Sequence, residues 1–279
     1  MGKLRLDHRE WSPDARAMAM LAMLACALCL FPARVEAQKS DALSDLLNKT
    51  EASVEQFVEQ FAYLRYQEDI LQEKLKSNDR VEYKQETVFD ALLMTRFDDG
   101  RLRVEEQRLL ERAPDKHELR PLVKTDGFST LAMIFHPYYQ SSFRFKKLED
   151  DVLDGQVLAR VGFEHISGKS SPILYQMIYA ERPLELSGVA WIDAYNGNIH
   201  RIDASVGSSM ADMGLQSIRA ELLYGLVTLK DETEPQWLPV SATIDLETPK
   251  QHWRNVHHFI NYKKYRTEIR LDVDVFPSR

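Results

Sequence analysis

Cysteine is almost missing from this chain of 279 residues: there are two, Cys26 and Cys29, and both fall inside one apolar run near the amino terminus. Everything after that run is cysteine-free, so disulfides, thiolate catalysis and cysteine metal ligands have no residues to build on there. Glycine and proline are sparse, 11 of each, and scattered. No low-complexity linker and no internal repeat interrupts the sequence, and no glycine-rich loop follows a strand and opens a helix as a phosphate site would require. Basic residues do not exceed acidic ones (36 against 43, net charge −7) and do not cluster, which argues against a nucleic-acid binder. Long hydrophobic runs are missing too. The longest, Ala17 to Phe31, has 15 residues, and a membrane-spanning helix needs about 20.

What the amino terminus does contain is ordered. Lys3, Arg5, Arg9 and Arg16 precede the apolar run, and Val35-Glu36-Ala37 follows it. This is the order of a cleavable secretory signal, with Val35 and Ala37 as the small residues the peptidase reads. Cleavage is therefore expected between Ala37 and Gln38, giving a leader over 1–37, a single domain over 38–279 and a periplasmic or secreted location without an integral membrane span. Lipidation at Cys26 or Cys29 is the weaker alternative, because Leu24 and Leu28 stand where small residues are preferred. Removing five basic and four acidic residues with the leader moves the net charge from −7 to −8.

From Ser40 to Ala62 the apolar residues Leu43, Leu46, Leu47, Val54, Phe57, Val58 and Phe61 recur at intervals of three and four, predicting an amphipathic helix. Beyond it, alternation dominates. Tyr63 to Lys74 predicts a strand, and Val81 to Leu93 turns through Asp98-Asp99-Gly100 into Arg101 to Leu110 as a hairpin. Gly127 to Tyr139 holds a short apolar block stopped by His136-Pro137, which predicts a short helix or buried segment. Phe143 to Leu148 pairs with Val157 to His165 through Asp154-Gly155. Gly188 to Asp193 pairs with Ile199 to Asp203 through Asn196-Gly197. Strands are also predicted over 214–229, 237–248, 253–265 and 267–273. The fold class is α+β and mainly β: roughly ten antiparallel strands in succession, curling into an unclosed barrel and covered by the amino-terminal helix and a short helical insertion. Charged polar faces and the lack of an aromatic girdle argue against an outer-membrane barrel.

Chemistry-bearing patterns are scarce. His257 and His258 are adjacent, so on a strand they face opposite ways and cannot share an ion. His252 is five residues from His257, and no His-Glu-x-x-His pattern occurs, so no metal site or cofactor is expected. Gly-x-Ser-x-Gly is absent, and Ser208-Ser209 after Gly207 is turn chemistry. The carboxylate groups Asp98-Asp99, Glu149-Asp150-Asp151 and Asp272 with Asp274 suit turns and solvated faces better than a hydrolase dyad. No catalytic residue is assigned. The surplus lies in bulky apolar residues on alternating strands, which either fill a core or line a cavity.

The hairpin residues Gly188, Ala190, Trp191, Ile192, Asp193, Gly197, Ile199, Arg201 and Ile202, together with Phe143-Arg144-Phe145, Leu153-Asp154-Gly155-Gln156, Trp237-Leu238-Pro239-Val240 and 260–266, resemble the outer-membrane lipoprotein-sorting (LolA-like) superfamily. The pattern covers most of the chain after the leader. It is closer to exported relatives from soil bacteria than to the dedicated carrier, whose acyl-contacting positions have no local motif here. The resemblance implies a half-barrel with a helical lid over an apolar cavity that shields acyl chains in the periplasm.

Alternation and bulk select Phe57, Phe89, Leu93, Trp191 and Tyr224 as cavity lining. The expected activity is non-enzymatic binding of an apolar ligand, such as a lipoprotein acyl chain. A cell-envelope scaffold with a filled core and a protein partner is the second expectation, and a carboxylate hydrolase the third.

Overall fold

The structure is a computed structural model and describes residues 41–98, 101–113, 124–125, 127–177, 180–206, 208–230 and 232–265. The expected leader with its expected cleavage between Ala37 and Gln38, both cysteines and the strand expected over 267–273 lie outside the described residues. Contacts divide the chain into Met1–Asp45, of which only 41–45 are described, and Leu46–Arg279.

Among the described residues, thirteen strands follow the helix α1 (41–61). They are β1 Leu64–Leu75, β2 Val81–Asp98, β3 Arg101–Arg112, β4 Phe143–Lys147, β5 Asp151–Leu153, β6 Gln156–His165, β7 Leu174–Met177, β8 Ala180–Pro183, β9 Ser187–Ile192, β10 Ile199–Val206, β11 Ser217–Thr228, β12 Pro235–Glu247 and β13 His252–Lys264. Eleven form one antiparallel sheet in the order β3-β2-β1-β13-β12-β11-β10-β9-β6-β4, with β5 also paired to β6. The sheet is not closed into a barrel. The protein is thus mainly β, as its alternation predicts. The order corrects a simple succession: β1 takes β13 as its second neighbour, paired from Leu64↔Lys264 to Leu75↔His252 with a register shift between Arg65 and Gln67. The separate β7–β8 ribbon was not foreseen, because two four-residue strands are too short for alternation to register.

The period of two assigns each residue to a face. The inner face collects Tyr66 and Ile70 from β1, Trp253 and Phe259 from β13, Ile244 and Leu246 from β12, Ile218 and Leu222 from β11, and Ile202 and Val206 from β10, all buried. The outer face carries a ladder of alternating charge across five strands, Arg219↔Asp245↔Arg254↔Glu73↔Lys84. A run of opposite-charge neighbours suits water.

Two elements fill the inner side. In α1, Leu46, Val54, Phe57 and Phe61 form the buried stripe. Thr50 sits within it and donates its hydroxyl hydrogen to the Leu46 carbonyl at 2.8 Å, so its polar group needs no outside partner. The short helical segment Phe128–Phe135 has all eight residues buried. It ends at His136, whose Nδ1 accepts from the Tyr138 N–H at 3.2 Å, and Pro137 then opens the one-turn helix α2, Pro137–Gln140.

Two glycines of the central hairpin have steric reasons. Gly197 has φ +79°, and a Cβ there would lie 2.4 Å from the Lys49 carbonyl oxygen. The β9–β10 turn can therefore seat α1 only if that residue is glycine. The seat is fastened by Lys49 Nζ donating to the Ala194 carbonyl at 2.9 Å and by Ser53 Oγ donating to Asn198 Oδ1 at 2.7 Å. At Gly188 a Cβ would stand 1.9 Å from the Asp203 carbonyl oxygen and 2.8 Å from the Phe163 ring, so bulk at this point of the sheet comes from the neighbouring strand.

Candidate functional site

The aromatic residues of α1 meet the sheet in a continuous stack. Phe57 and Phe61, one helical turn apart, have ring centroids 5.0 Å apart. Phe57 meets the edge of Tyr224 at 6.0 Å, and Phe61 stacks on Tyr66 at 5.4 Å, which in turn approaches Tyr262 at 5.3 Å. Beside the Phe57–Tyr224 contact lies a recess of about 250 Å³. Its apolar lining is Val54, Phe57, Ala132, Ile199, Tyr224, Leu226, Pro235 and Trp237, and its polar lining is Ser53, Gln56, Gln60, Asn198 and Gln236. Tyr224 is fixed there by accepting the Ala132 N–H at 3.1 Å, and burial pushes its phenol well above the ordinary range. Trp237 donates its indole N–H to the Ile199 carbonyl at 2.6 Å and packs on His200 at 4.5 Å. Burial lowers the His200 pKa, which favours the neutral ring.

Of the residues selected from the sequence, Phe57 and Tyr224 come together at this recess. Leu93 is buried on the inner face of β2, away from the recess lining. Phe89 is half-buried under the Arg108 guanidinium, 5.7 Å from its ring centroid. Trp191 lies on the outer face, between Arg160 and Arg201, whose guanidinium carbons are 5.5 and 5.0 Å from its ring. Its N–H donates to Asp151 at 3.1 Å and holds that carboxyl below the usual range. The outer face carries an open groove of about 580 Å³ lined by Arg160, Trp191, Arg219, Glu221 and Asp245, and another of about 820 Å³ runs along β4, β6 and β9. Both are bounded by charged side chains.

The inner face also holds a polar cluster that alternation and bulk did not select. Glu68 is fully buried and accepts from Arg108 twice, Nε to Oε2 at 2.5 Å and Nη2 to Oε1 at 2.8 Å. Arg108 Nη2 also reaches Glu106 Oε2 at 3.1 Å and the Thr125 carbonyl at 3.2 Å. Glu106 accepts from the Tyr66 hydroxyl at 2.5 Å and from the Gly127 N–H at 3.0 Å. His257 Nδ1 lies 2.7 Å from Glu68 Oε1, its Nε2 lies 2.8 Å from Thr125 Oγ1, and Asn255 Nδ2 donates to that same hydroxyl at 3.0 Å. A carboxylate only accepts, so Nδ1 carries the proton toward Glu68. Burial and the charge of Glu68 outweigh Arg108 and raise the Glu106 pKa. A sequence signal for this cluster exists: Glu68 and Gln72 on β1, and Asn255 and His257 on β13, are polar residues in the apolar phase of their strands. No group of three or more ligating side chains suited to a metal occurs among the described residues.

The site thus belongs to an open antiparallel half-barrel with a helix and a buried segment on its inner face. No family model and no curated protein matches the chain. Three solved structures are similar to it: a LolA superfamily protein from Nitrosomonas europaea (11% identity, 81% of this chain and 94% of that one, TM-score 0.33), a DUF1329 family protein from Desulfovibrio piger (11%, 82% and 94%, 0.41) and an outer membrane lipoprotein-sorting protein domain from Vibrio parahaemolyticus (9%, 80% and 96%, 0.35).

Proposed function

We propose that this chain is an exported, non-enzymatic binding protein that holds an apolar ligand, such as a lipoprotein acyl chain, at the recess between α1 and strands β11 and β12. The observation that carries the reading is the junction of Phe57 with Tyr224, beside which lies a recess of about 250 Å³ lined by both apolar and polar side chains. Small-molecule sites are commonly about 300–1,000 Å³, so the recess falls below that range and suits part of a chain rather than a whole lipid. The leader pattern of residues 1–37 supports export. Among the described residues no helix is long and apolar enough to cross a membrane.

Catalysis by carboxylates finds less support. Glu68 and Glu106 are close and one has a raised pKa, but both are bound to Arg108 inside the core, and neither lines any of the three cavities described above. One observation favours the scaffold reading, with an envelope protein as partner: Phe128–Phe135 fills much of the inner side with its own side chains.

Native mass spectrometry of protein purified from its host, with titration of an environment-sensitive lipid probe, separates these readings. A binding protein carries a ligand or takes up the probe, and Phe57→Ala weakens uptake at least fivefold while the fold is retained. A chain that is ligand-free and leaves the probe unshifted overturns the proposal in favour of the scaffold.

A further inference from the structure

The tips of two neighbouring hairpins carry a surface that the recess does not explain. Tyr195, in the β9–β10 turn, is 89% exposed, more than any other large hydrophobic side chain among the described residues. Its turn is nevertheless fixed. The Asp193 N–H donates to the Asn198 carbonyl at 2.9 Å, the Gly197 N–H to the Asp193 carbonyl at 2.8 Å and the Tyr195 N–H to Asp193 Oδ1 at 2.8 Å. Lys49 and Gly197 seat the same turn on α1. Beside it, the β5–β6 hairpin turns through Asp154 and Gly155 and pairs Val152 with Val157, which are 62% and 67% exposed. The two tips are tied together by Gln156 Nε2, which donates to Asp193 Oδ2 at 3.2 Å, and by the Trp191–Asp151 hydrogen bond.

Charge sets the partner. Residues 149–157 and 193–198 hold five carboxylates, Glu149, Asp150, Asp151, Asp154 and Asp193, and no lysine or arginine. The cations that reach these tips come from elsewhere in the chain and are engaged: Lys147 pairs with Asp150, Arg160 lies over the Trp191 ring, and Lys49 is held by the Ala194 carbonyl. We infer that the two tips form a docking surface for a basic segment of a partner protein, with Tyr195 as its apolar anchor and the partner's lysine or arginine side chains set against the carboxylates. A tyrosine on a fixed backbone has only two side-chain torsions left to lose on binding, and tyrosine is enriched among the residues that dominate protein interfaces. Complementary charge steers the encounter and rejects wrong partners. A second copy of this chain would set carboxylates against carboxylates across a two-fold axis, and an anionic lipid surface would repel them. Neither Tyr195 nor the two valines line the recess, so the inference stands apart from the ligand reading above.

The test titrates the protein into a dye-labelled twelve-residue peptide of lysine, leucine and tryptophan, and into its counterpart with glutamate for lysine, and reads fluorescence anisotropy. The lysine peptide is expected to bind at least tenfold more tightly. Tyr195→Ser, which changes no charge, should weaken it at least fivefold. Tyr63→Ser removes an exposed tyrosine at the far end of α1 and should leave the affinity unchanged. Replacing Glu149 and Asp150 together by Lys should turn the preference toward the glutamate peptide, a gain that a misfolded variant could not show. Equal binding of the two peptides, or a Tyr195→Ser protein that binds like the parent, overturns the inference. So does a Tyr63→Ser loss as large as that of Tyr195→Ser, or Tyr195-dependent sedimentation with phosphatidylglycerol vesicles in place of peptide binding. Uptake of the lipid probe is read on the same samples: if it persists while peptide binding fails, this inference falls and the ligand reading survives.

Discussion

One sheet carries arginine–carboxylate pairs on both faces, and the two sets obey different rules. Inside, Arg108 is held by Glu68, Glu106 and the Thr125 carbonyl, and the carboxylates have further donors of their own in His257, Tyr66 and the Gly127 N–H. Outside, Arg254 meets Asp245 at 2.9 Å and Arg201 lies between Asp203 and Glu221, each partly open to water. Taking charges out of water costs several kcal/mol per ion, recovered only where geometry and extra hydrogen bonds are good. The inner cluster is therefore all-or-nothing, and the outer ladder is a sum of small, independent terms.

Removing the central cation should break the comparison most visibly. Arg108→Met leaves Glu68 and Glu106 buried without their shared counter-charge and is expected to cost about 3–5 kcal/mol. For a domain of this size that lowers Tm by roughly 6–20 °C. Denaturant unfolding of the two proteins at pH 7 measures it, and a loss below about 1 kcal/mol would mean that the cluster behaves like the surface pairs.

Titration sharpens the contrast with a smaller effect. Because burial and the Glu68 charge raise the Glu106 pKa in the folded state, the stability linked to this group is fully present below its unfolded pKa and is lost as pH rises through the folded value. Glu106→Gln imitates the protonated side chain. Its stability relative to the parent should therefore increase as pH is raised from the ordinary carboxylate range toward and through the elevated value. A flat difference across that window would remove the assignment.

The smallest effect is expected on the outside. A double-mutant cycle on Arg254 and Asp245 should give about 0.2–1 kcal/mol of coupling, falling as salt is added because the pair is partly exposed. A coupling comparable to the Arg108 loss would show that the two faces are not distinct in kind.

Alternation located most of the sheet, since nearly every strand from β1 to β13 longer than five residues declares its buried phase. What it could not supply was the sense of each face. Trp191 is as bulky as Tyr224, and a period of two fits either side equally well. Only the register, which brings Trp191 opposite Arg160 and Arg201, assigns it to the outside. Phe89 stands near a register shift between Val88 and Phe89 on the β3 side, an irregularity that local sequence does not signal. The recess was half legible: Phe57 and Tyr224 stood out by bulk. Gln56, Gln60 and Gln236 carry no local signal, since the recess forms only where α1 and β12 come together. Glu68 and His257 were legible in principle, as polar residues out of phase. Pairing them needed the knowledge that β1 lies beside β13.

That pairing has a consequence in time. The Glu68–His257 contact joins residues 189 positions apart, and β1 cannot gain its second neighbour until β13 has been made. The centre of the sheet, rather than its edges, is thus the last part to be completed along a growing chain. Contacts of such separation place folding among the slow, millisecond-to-second topologies, and until the carboxyl-terminal strand arrives the early strands have half a sheet to join.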